Sequence, residues 1–267
     1  MTSENELKEK AVSLLKDGTV TKVLGWKKGL FENDVTPYVF SSVSEIENDF
    51  VYNGYCASNL CKYLVPTVTH PNGINPYIQN EDGTKTYPKT LVFLKEKDKL
   101  GYNLLIKEKR INPENIVVID IDFEAAPKNG PAPLTVADIE KLSTDERFDF
   151  WQKELSRCIR CNACRDICPA CTCEKCIFDN TKSEISQKVA SDNFEENLYH
   201  IIRAWHVAGR CVGCGECGRV CPEHIPLHLI NGKMIKEINE NFGSFQSGAD
   251  TETKAPMLTF TKEDPEV

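Results

Sequence analysis

A chain of 267 residues, 40% hydrophobic and 27% charged, is long enough for two ordinary domains and has the composition of a folded globular protein rather than a disordered one. Its formal net charge of −8 argues against a nucleic-acid partner, whose phosphates demand a basic face, and no apolar run approaches the roughly 20 residues of a membrane-spanning helix. The opening Met1-Thr2-Ser3-Glu4-Asn5-Glu6 lacks the basic-then-apolar layout of a secretory signal, so a cytoplasmic protein is expected; in that reducing compartment the 13 cysteines read as metal ligands rather than disulfides.

Over Glu4–Lys16 the apolar residues Leu7, Ala11, Leu14 and Leu15 recur at helical spacing, and Asp17-Gly18 ends the run. Residues 19–26 are β-branched and alternating, and Tyr38-Val39-Phe40 is a second short strand. Residues 44–49 and 57–65 read as helices, the second carrying Leu60, Cys61 and Leu64 until Pro66 stops it. The Pro, Gly and Asn of residues 69–88 predict a long loop. Residues 89–95 and 115–120 read as buried strands flanking a helix over 98–110, an order that implies a parallel pair with a crossover helix. Pro127, Gly130, Pro131 and Pro133 mark a linker. Beyond it, helices are expected over 135–142, over Thr144–Ser156 with Phe148, Trp151 and Leu155 to one side, over 183–207 with Leu198, Ile201, Ile202 and Trp205 on one face, and over 228–241. The expected fold class is α+β: a small α/β domain at 1–126, a linker at 127–134, a helical ferredoxin-type domain with two 4Fe-4S clusters at 135–242, and an extended tail at 243–267.

Two stretches carry the chemistry. Cys158, Cys161, Cys164 and Cys168-Pro169 form one C-x₂-C-x₂-C-x₃-C-P run, and Cys211, Cys214, Cys217 and Cys221-Pro222 form another, each with the spacing that binds 4Fe-4S clusters in bacterial-type ferredoxins. In two-cluster proteins the fourth cysteine of each run serves the other cluster. The expected ligand sets are therefore Cys158, Cys161, Cys164 and Cys221 for one cluster, and Cys211, Cys214, Cys217 and Cys168 for the other. Gly213, Gly215 and Gly218 would let backbone approach the second cluster closely. Zinc also takes C-x₂-C pairs, but it rarely uses a triple C-x₂-C-x₂-C followed by C-P. Cys171, Cys173 and Cys176 form a further group: a candidate third site for a cluster or zinc, with Cys56 or Cys61 as candidate fourth ligand, or else packing cysteines. His200, His206, His224 and His228 are expected at the surface or in support of the ligands, and Asp120 and Asp122 close a predicted strand. No dinucleotide fingerprint, P-loop or nucleophile elbow occurs.

The spacer between the runs is longer than in small ferredoxins, and its helices resemble the α-helical ferredoxin modules of fumarate reductase iron-sulfur subunits and heterodisulfide reductase small subunits. Trp151 to Arg165, the Cys-Pro-Ala-Cys-Thr-Cys-Glu-Lys-Cys stretch from Cys168, and Ala204 to Cys211 resemble dicluster ferredoxin proteins related to the beta subunits of deazaflavin-coenzyme-reducing hydrogenases and formate dehydrogenases, which also accompany heterodisulfide-reductase-like complexes. The resemblance covers roughly residues 140–260 and extends to residues 53–64 and 104–119. It departs where related proteins carry Gly-Cys-Asp after the first buried strand and this chain has Lys97-Asp98-Lys99. It implies an anaerobic electron-transfer subunit with two 4Fe-4S clusters and no catalytic residues of its own. Its implied partners are other oxidoreductase subunits: a flavoprotein, a hydrogenase, a formate dehydrogenase or a heterodisulfide-reductase-like complex. A flavin is not expected in the chain. The alternatives are a flavin-dependent subunit reducing a small electron carrier through the first domain, and a module whose clusters only stabilise or sense.

Overall fold

The computed structural model describes residues 2–65, 78–79, 81–86, 89–127, 132–173, 176–179 and 193–256. Most of the expected loop at 69–88, residues 128–131 of the expected linker, spacer residues 183–192 and tail residues 257–267 lie outside these. The chain divides into two compact units, Met1–Asn129 and Gly130–Val267.

The first unit is a mixed sheet with helices. α1 (Glu4–Lys16) starts at a Ser3 capping box, in which the Ser3 hydroxyl accepts from the Glu6 amide and the Glu6 carboxylate accepts from the Ser3 amide. β1 (Lys22–Lys28) and β2 (Val35–Phe40) pair antiparallel, with Val23 opposite Phe40, and α2 (Val43–Asp49) follows. A small antiparallel ladder joins β3 (Ile78–Gln79) to β4 (Lys85–Thr86). β5 (Thr90–Lys95), α3 (Glu96–Lys107) and β6 (Ile116–Ile121) then form the expected β-α-β unit: β5 lies parallel to both β1 and β6, giving the order β2-β1-β5-β6. Every residue of β5 is buried, as its unbroken apolar run predicts. The expectation of equal burial for β6 fails. Because β6 is an edge strand, Ile116 to Ile119 are only half-buried and Asp120 is exposed, held by Lys99 at 2.8 Å. Gly25 is required on β1, since a Cβ there would meet the Phe50 ring at 2.7 Å, inside the Phe40, Phe50 and Phe93 stack.

The helix expected over residues 57–65 is only a single 3₁₀ turn, Cys61–Leu64. The reason is the Lys95 ammonium, almost fully buried at the end of β5. It donates to the carbonyls of Cys56 (3.2 Å), Ala57 (3.0 Å) and Ser58 (2.7 Å), acceptors that a helix over these residues would need for its own amides. Asp98, also buried, neutralises the ammonium at 3.1 Å, and the Trp26 ring lies 5.0 Å from it.

The second unit is helical. α4 (Val136–Glu140) and α5 (Thr144–Ser156) start at capping boxes on Thr135 and Ser143. Short helices α6 (Ala163–Asp166) and α8 (Glu216–Arg219) sit inside the two cysteine runs, separated by α7 (Asn193–His206), and α9 (Leu227–Phe242) follows. Its core joins Leu155 of α5 to Ile225 and Leu227 around four motif cysteines. Phe148, expected beside Leu155, is exposed. Among the described residues no helix is long and apolar enough to cross a membrane.

Candidate metal centre

The two cysteine runs trace one loop twice. Backbone at matching positions is left-handed: Arg160 (φ 53°) and Asn162 (φ 62°) in the first run, Gly213 (φ 74°) and Gly215 (φ 77°) in the second. The hydrogen bonds repeat too. The Arg165 amide donates to the Asn162 carbonyl at 2.8 Å and the Gly218 amide to that of Gly215 at 3.1 Å; likewise Cys171 donates to Cys168 and His224 to Cys221, both at 3.0 Å. Glycine adopts this backbone freely, whereas a side chain bears about 1–2 kcal/mol of strain there. Gly218 has an ordinary φ but still matters, because a Cβ would lie 2.3 Å from His228 Nδ1.

The eight motif thiols border two separate spaces. Cys158, Cys161, Cys164 and Cys221 line one of about 20 Å³, beside Tyr199 and His200. Cys168, Cys211, Cys214 and Cys217 line the other, of about 390 Å³, beside His228 and Asn231. Only the second is roomy as it stands. In each set three thiols come from one run and the fourth from the C-P end of the other run. Among the described residues no three thiols approach within 4.8 Å of one another. A tetrahedral zinc, with Zn–S bonds of about 2.3 Å, would draw its sulfurs to about 3.8 Å, so neither set is shaped for a single ion.

The same spacing leaves Cys171, Cys173 and Cys176 without a preassembled single-ion site. Cys171 and Cys176 are half-buried and Cys173 is exposed. Cys56 and Cys61 are buried in the core of the first unit, their thiols directed at the carbonyls of Val51 (3.6 Å) and Asp98 (3.1 Å).

Burial pushes the Cys164 and Cys211 thiols up to about 12 and Cys217 to about 11, and it raises Cys214 as well. Such thiols stay protonated unless a cationic centre ionises them, and iron supplies one. Sulfur also meets donors: the Arg160 amide lies 3.4 Å from Cys158 Sγ, and Asn231 Nδ2 lies 3.6 Å from Cys217 Sγ.

α7 presents a polar face to this centre. Glu196, Tyr199, His200 and Arg203 are all buried, while Phe194, Leu198, Ile201 and Trp205 are exposed. The expected common apolar face of Leu198, Ile201, Ile202 and Trp205 is therefore turned mostly to solvent. Glu196 accepts from Arg160 Nε at 3.0 Å, and Tyr199 Oη donates to Asn162 Oδ1 at 2.8 Å, so two contacts tie α7 to the first cysteine loop. Ligand atoms of Cys158, Glu196 and His200 lie within 4.8 Å of one another. His200 is 1% exposed and, among the described residues, neither ring nitrogen has a partner; burial, then the Arg203 charge, pushes its pKa down to about 3. His206 and His224 are exposed and His228 is half-buried. The Asp122 amide donates to Thr2 Oγ1 at 3.1 Å and its carbonyl accepts from Tyr52.

Residues 154–225 match the family described as "4Fe-4S dicluster domain". The chain is 34% identical over 107 residues to the F420-dependent formate dehydrogenase subunit beta of Methanocaldococcus jannaschii, covering 39% of this chain and 27% of that protein. It is 30% identical over 159 residues to the F420-dependent formate dehydrogenase 1 subunit beta of Methanococcus maripaludis, covering 60% and 38%. It is also 27% identical over 147 residues to the acetyl-CoA decarbonylase/synthase complex subunit alpha 1 of Methanosarcina barkeri, covering 53% and 15%. The chain thus spans well under half the length of these curated relatives. Its second unit carries a 4Fe-4S dicluster domain, and the chain is a relative of the beta subunits of F420-dependent formate dehydrogenases and the alpha subunits of acetyl-CoA decarbonylase/synthase complexes.

Proposed function

We propose that this chain is an electron-transfer subunit that passes single electrons through two 4Fe-4S clusters between other oxidoreductase subunits. One cluster is held by Cys158, Cys161, Cys164 and Cys221, the other by Cys211, Cys214, Cys217 and Cys168. The observation that carries the reading is the sorting of the eight thiols into two sets of four, each completed by a cysteine of the other run. The wide thiol spacing and the cysteine-only donor sets fit an iron-sulfur cube rather than a single ion. Bound there, the clusters supply one-electron redox chemistry. The chain's own residues hold and tune them: Leu155, Ile225 and Leu227 exclude water from the thiols, and the Arg160 amide and Asn231 side chain donate toward sulfur. Cys161 is exposed, which brings the first set to the surface where a partner can exchange electrons.

The relatives' names point to formate dehydrogenase and acetyl-CoA decarbonylase/synthase complexes as the kind of assembly the chain joins. In the first unit Asp98, within the segment that departs from Gly-Cys-Asp, is paired with Lys95. The test is anaerobic purification with iron and sulfide analysis, followed by a redox titration read by electron paramagnetic resonance. About eight irons, no zinc and two reversible low-potential signals are expected. One cluster per chain, stoichiometric zinc, or signals that no partner protein can reduce would overturn the reading.

A further inference from the structure

Arg203 is the most anomalous charge in the second unit. It is 2% exposed, and none of its three guanidinium nitrogens has a hydrogen-bond partner among the described residues. An uncompensated buried cation costs several kcal/mol, so its retention calls for an anionic acceptor. The nearby carboxylate on the same helix face, Glu196, is already engaged by Arg160. His200, one turn before Arg203, is neutral and supplies no counter-charge.

Burial acts on Arg203 first, and the sulfurs close enough to act on it once ionised include Cys164, then Cys217, Cys168 and Cys171. Cys164 borders the first space, whereas Cys217 and Cys168 border the second. Reciprocally, Arg203 is the strongest charge acting on both Cys164 and Cys217. Helical periodicity places it on the face that brings Tyr199 and His200 to the first set. Cys164 and Cys217, one from each set, pack in one core, and the guanidinium is near enough to interact with both. A thiolate-ligated cube carries net negative charge that grows on reduction, and its sulfurs accept hydrogen bonds.

We propose that Arg203 lies between the two clusters and donates N–H bonds to sulfurs of both, so that one buried guanidinium raises both reduction potentials and favours the electron's residence on either side. Each reduction adds one electron from a partner subunit, and the guanidinium remains protonated throughout. Arg203 is in this sense a positioning and tuning residue, not a ligand.

The inference rests on the cluster reading above, and the test separates the two. Full-length wild-type, Arg203→Met and Arg203→Lys proteins are purified anaerobically with isotopically labelled guanidino nitrogens on arginine. Absence of iron from the wild type would overturn both readings. With iron present, pulsed electron paramagnetic resonance of the reduced wild type should show coupling to a guanidino nitrogen, and that coupling should vanish in Arg203→Lys. No coupling in the wild type overturns the inference alone, whether or not either variant folds. In redox titrations of iron-replete Arg203→Met, both midpoints should fall by at least a tenfold change in the reduction equilibrium, about 59 mV for one electron, with partial recovery in Arg203→Lys. Unchanged midpoints, or a fall confined to one cluster, would equally overturn it.

Discussion

Replacing Glu196 by Leu tests how α7 holds the first cysteine loop. In the native chain Arg160, between Cys158 and Cys161, donates from Nε to Glu196 at 3.0 Å and from Nη2 to the Glu195 carbonyl at 3.1 Å, and its guanidinium lies 4.6 Å from the Tyr199 ring centroid. The two charged side chains are 5% and 3% exposed, so solvent screening takes little from the pair. Removing one partner of a buried pair costs about 3–5 kcal/mol. Arg160 keeps the Glu195 carbonyl and the Tyr199 face, which argues for the lower end, about 3 kcal/mol or roughly two orders of magnitude in the opening equilibrium. The assay is anaerobic release of iron to a chelator from the full chain. About half of roughly eight irons should leave in a new fast phase, the rest at the native rate. Adding Arg160→Gly removes the stranded charge and relieves the left-handed backbone, as glycine does at Gly213, so the double variant should recover most of the loss. A single unchanged phase in Glu196→Leu, or a double variant no better than the single, would refute the reasoning.

Cys221→Ala should remove about four of roughly eight irons and abolish the first cluster's signal while sparing the second, because Cys221 borders the first set; loss of the second signal alone would contradict the crossed assignment. Lys95→Met removes the ammonium beside the Asp98 carboxylate and the donor to three carbonyls in the core of the first unit, and should cost about 3–5 kcal/mol in urea unfolding followed by circular dichroism, partly recovered on adding Asp98→Leu. A cost under about 1 kcal/mol would show that the Lys95 cage is not structural. Gly218→Ala drives a methyl to 2.3 Å from His228 Nδ1, at the border of the second set; about 1–3 kcal/mol of strain and a changed second-cluster line shape with the first unaltered are expected, and identical spectra would count against that contact.

The β-α-β unit was legible because run length and element order agree there: Leu91 to Leu94 is too short for a buried helix and precedes a helical stretch, and β5 and β6 pair in parallel as the crossover requires. Where a long-range contact overrides local pattern, reading failed. Residues 57–65 have helical spacing, but their first carbonyls are claimed by Lys95 from another strand, and only Cys61–Leu64 turns. Edge position, invisible along one strand, left β6 half-exposed. In the candidate site the cysteine spacing singled out the eight thiols, yet Glu196 and Arg203 escaped notice, and His200 was placed only at the surface or in support of the ligands. Their recurrence at helical spacing was a usable signal, but the rule that an apolar stripe faces inward pointed to the opposite side of α7.

That inversion has a physical basis in what α7 packs against. An ordinary core rewards apolar side chains, whereas a core of buried thiols that ionise on binding iron rewards donors and cations close to sulfur. Residues Glu196, Tyr199, His200 and Arg203 provide an acid that pins Arg160, a hydroxyl that pins Asn162, a neutral imidazole and a guanidinium without a hydrogen-bond partner among the described residues, all from one helix face. The second loop needs less of this support, since Gly213 and Gly215 take the left-handed backbone without strain where the first loop has Arg160 and Asn162. The long spacer between the two runs is thereby explained by what it delivers. It carries a strap that braces the strained loop and brings a buried guanidinium into the thiol core, which two bare ferredoxin runs joined by a short linker would lack.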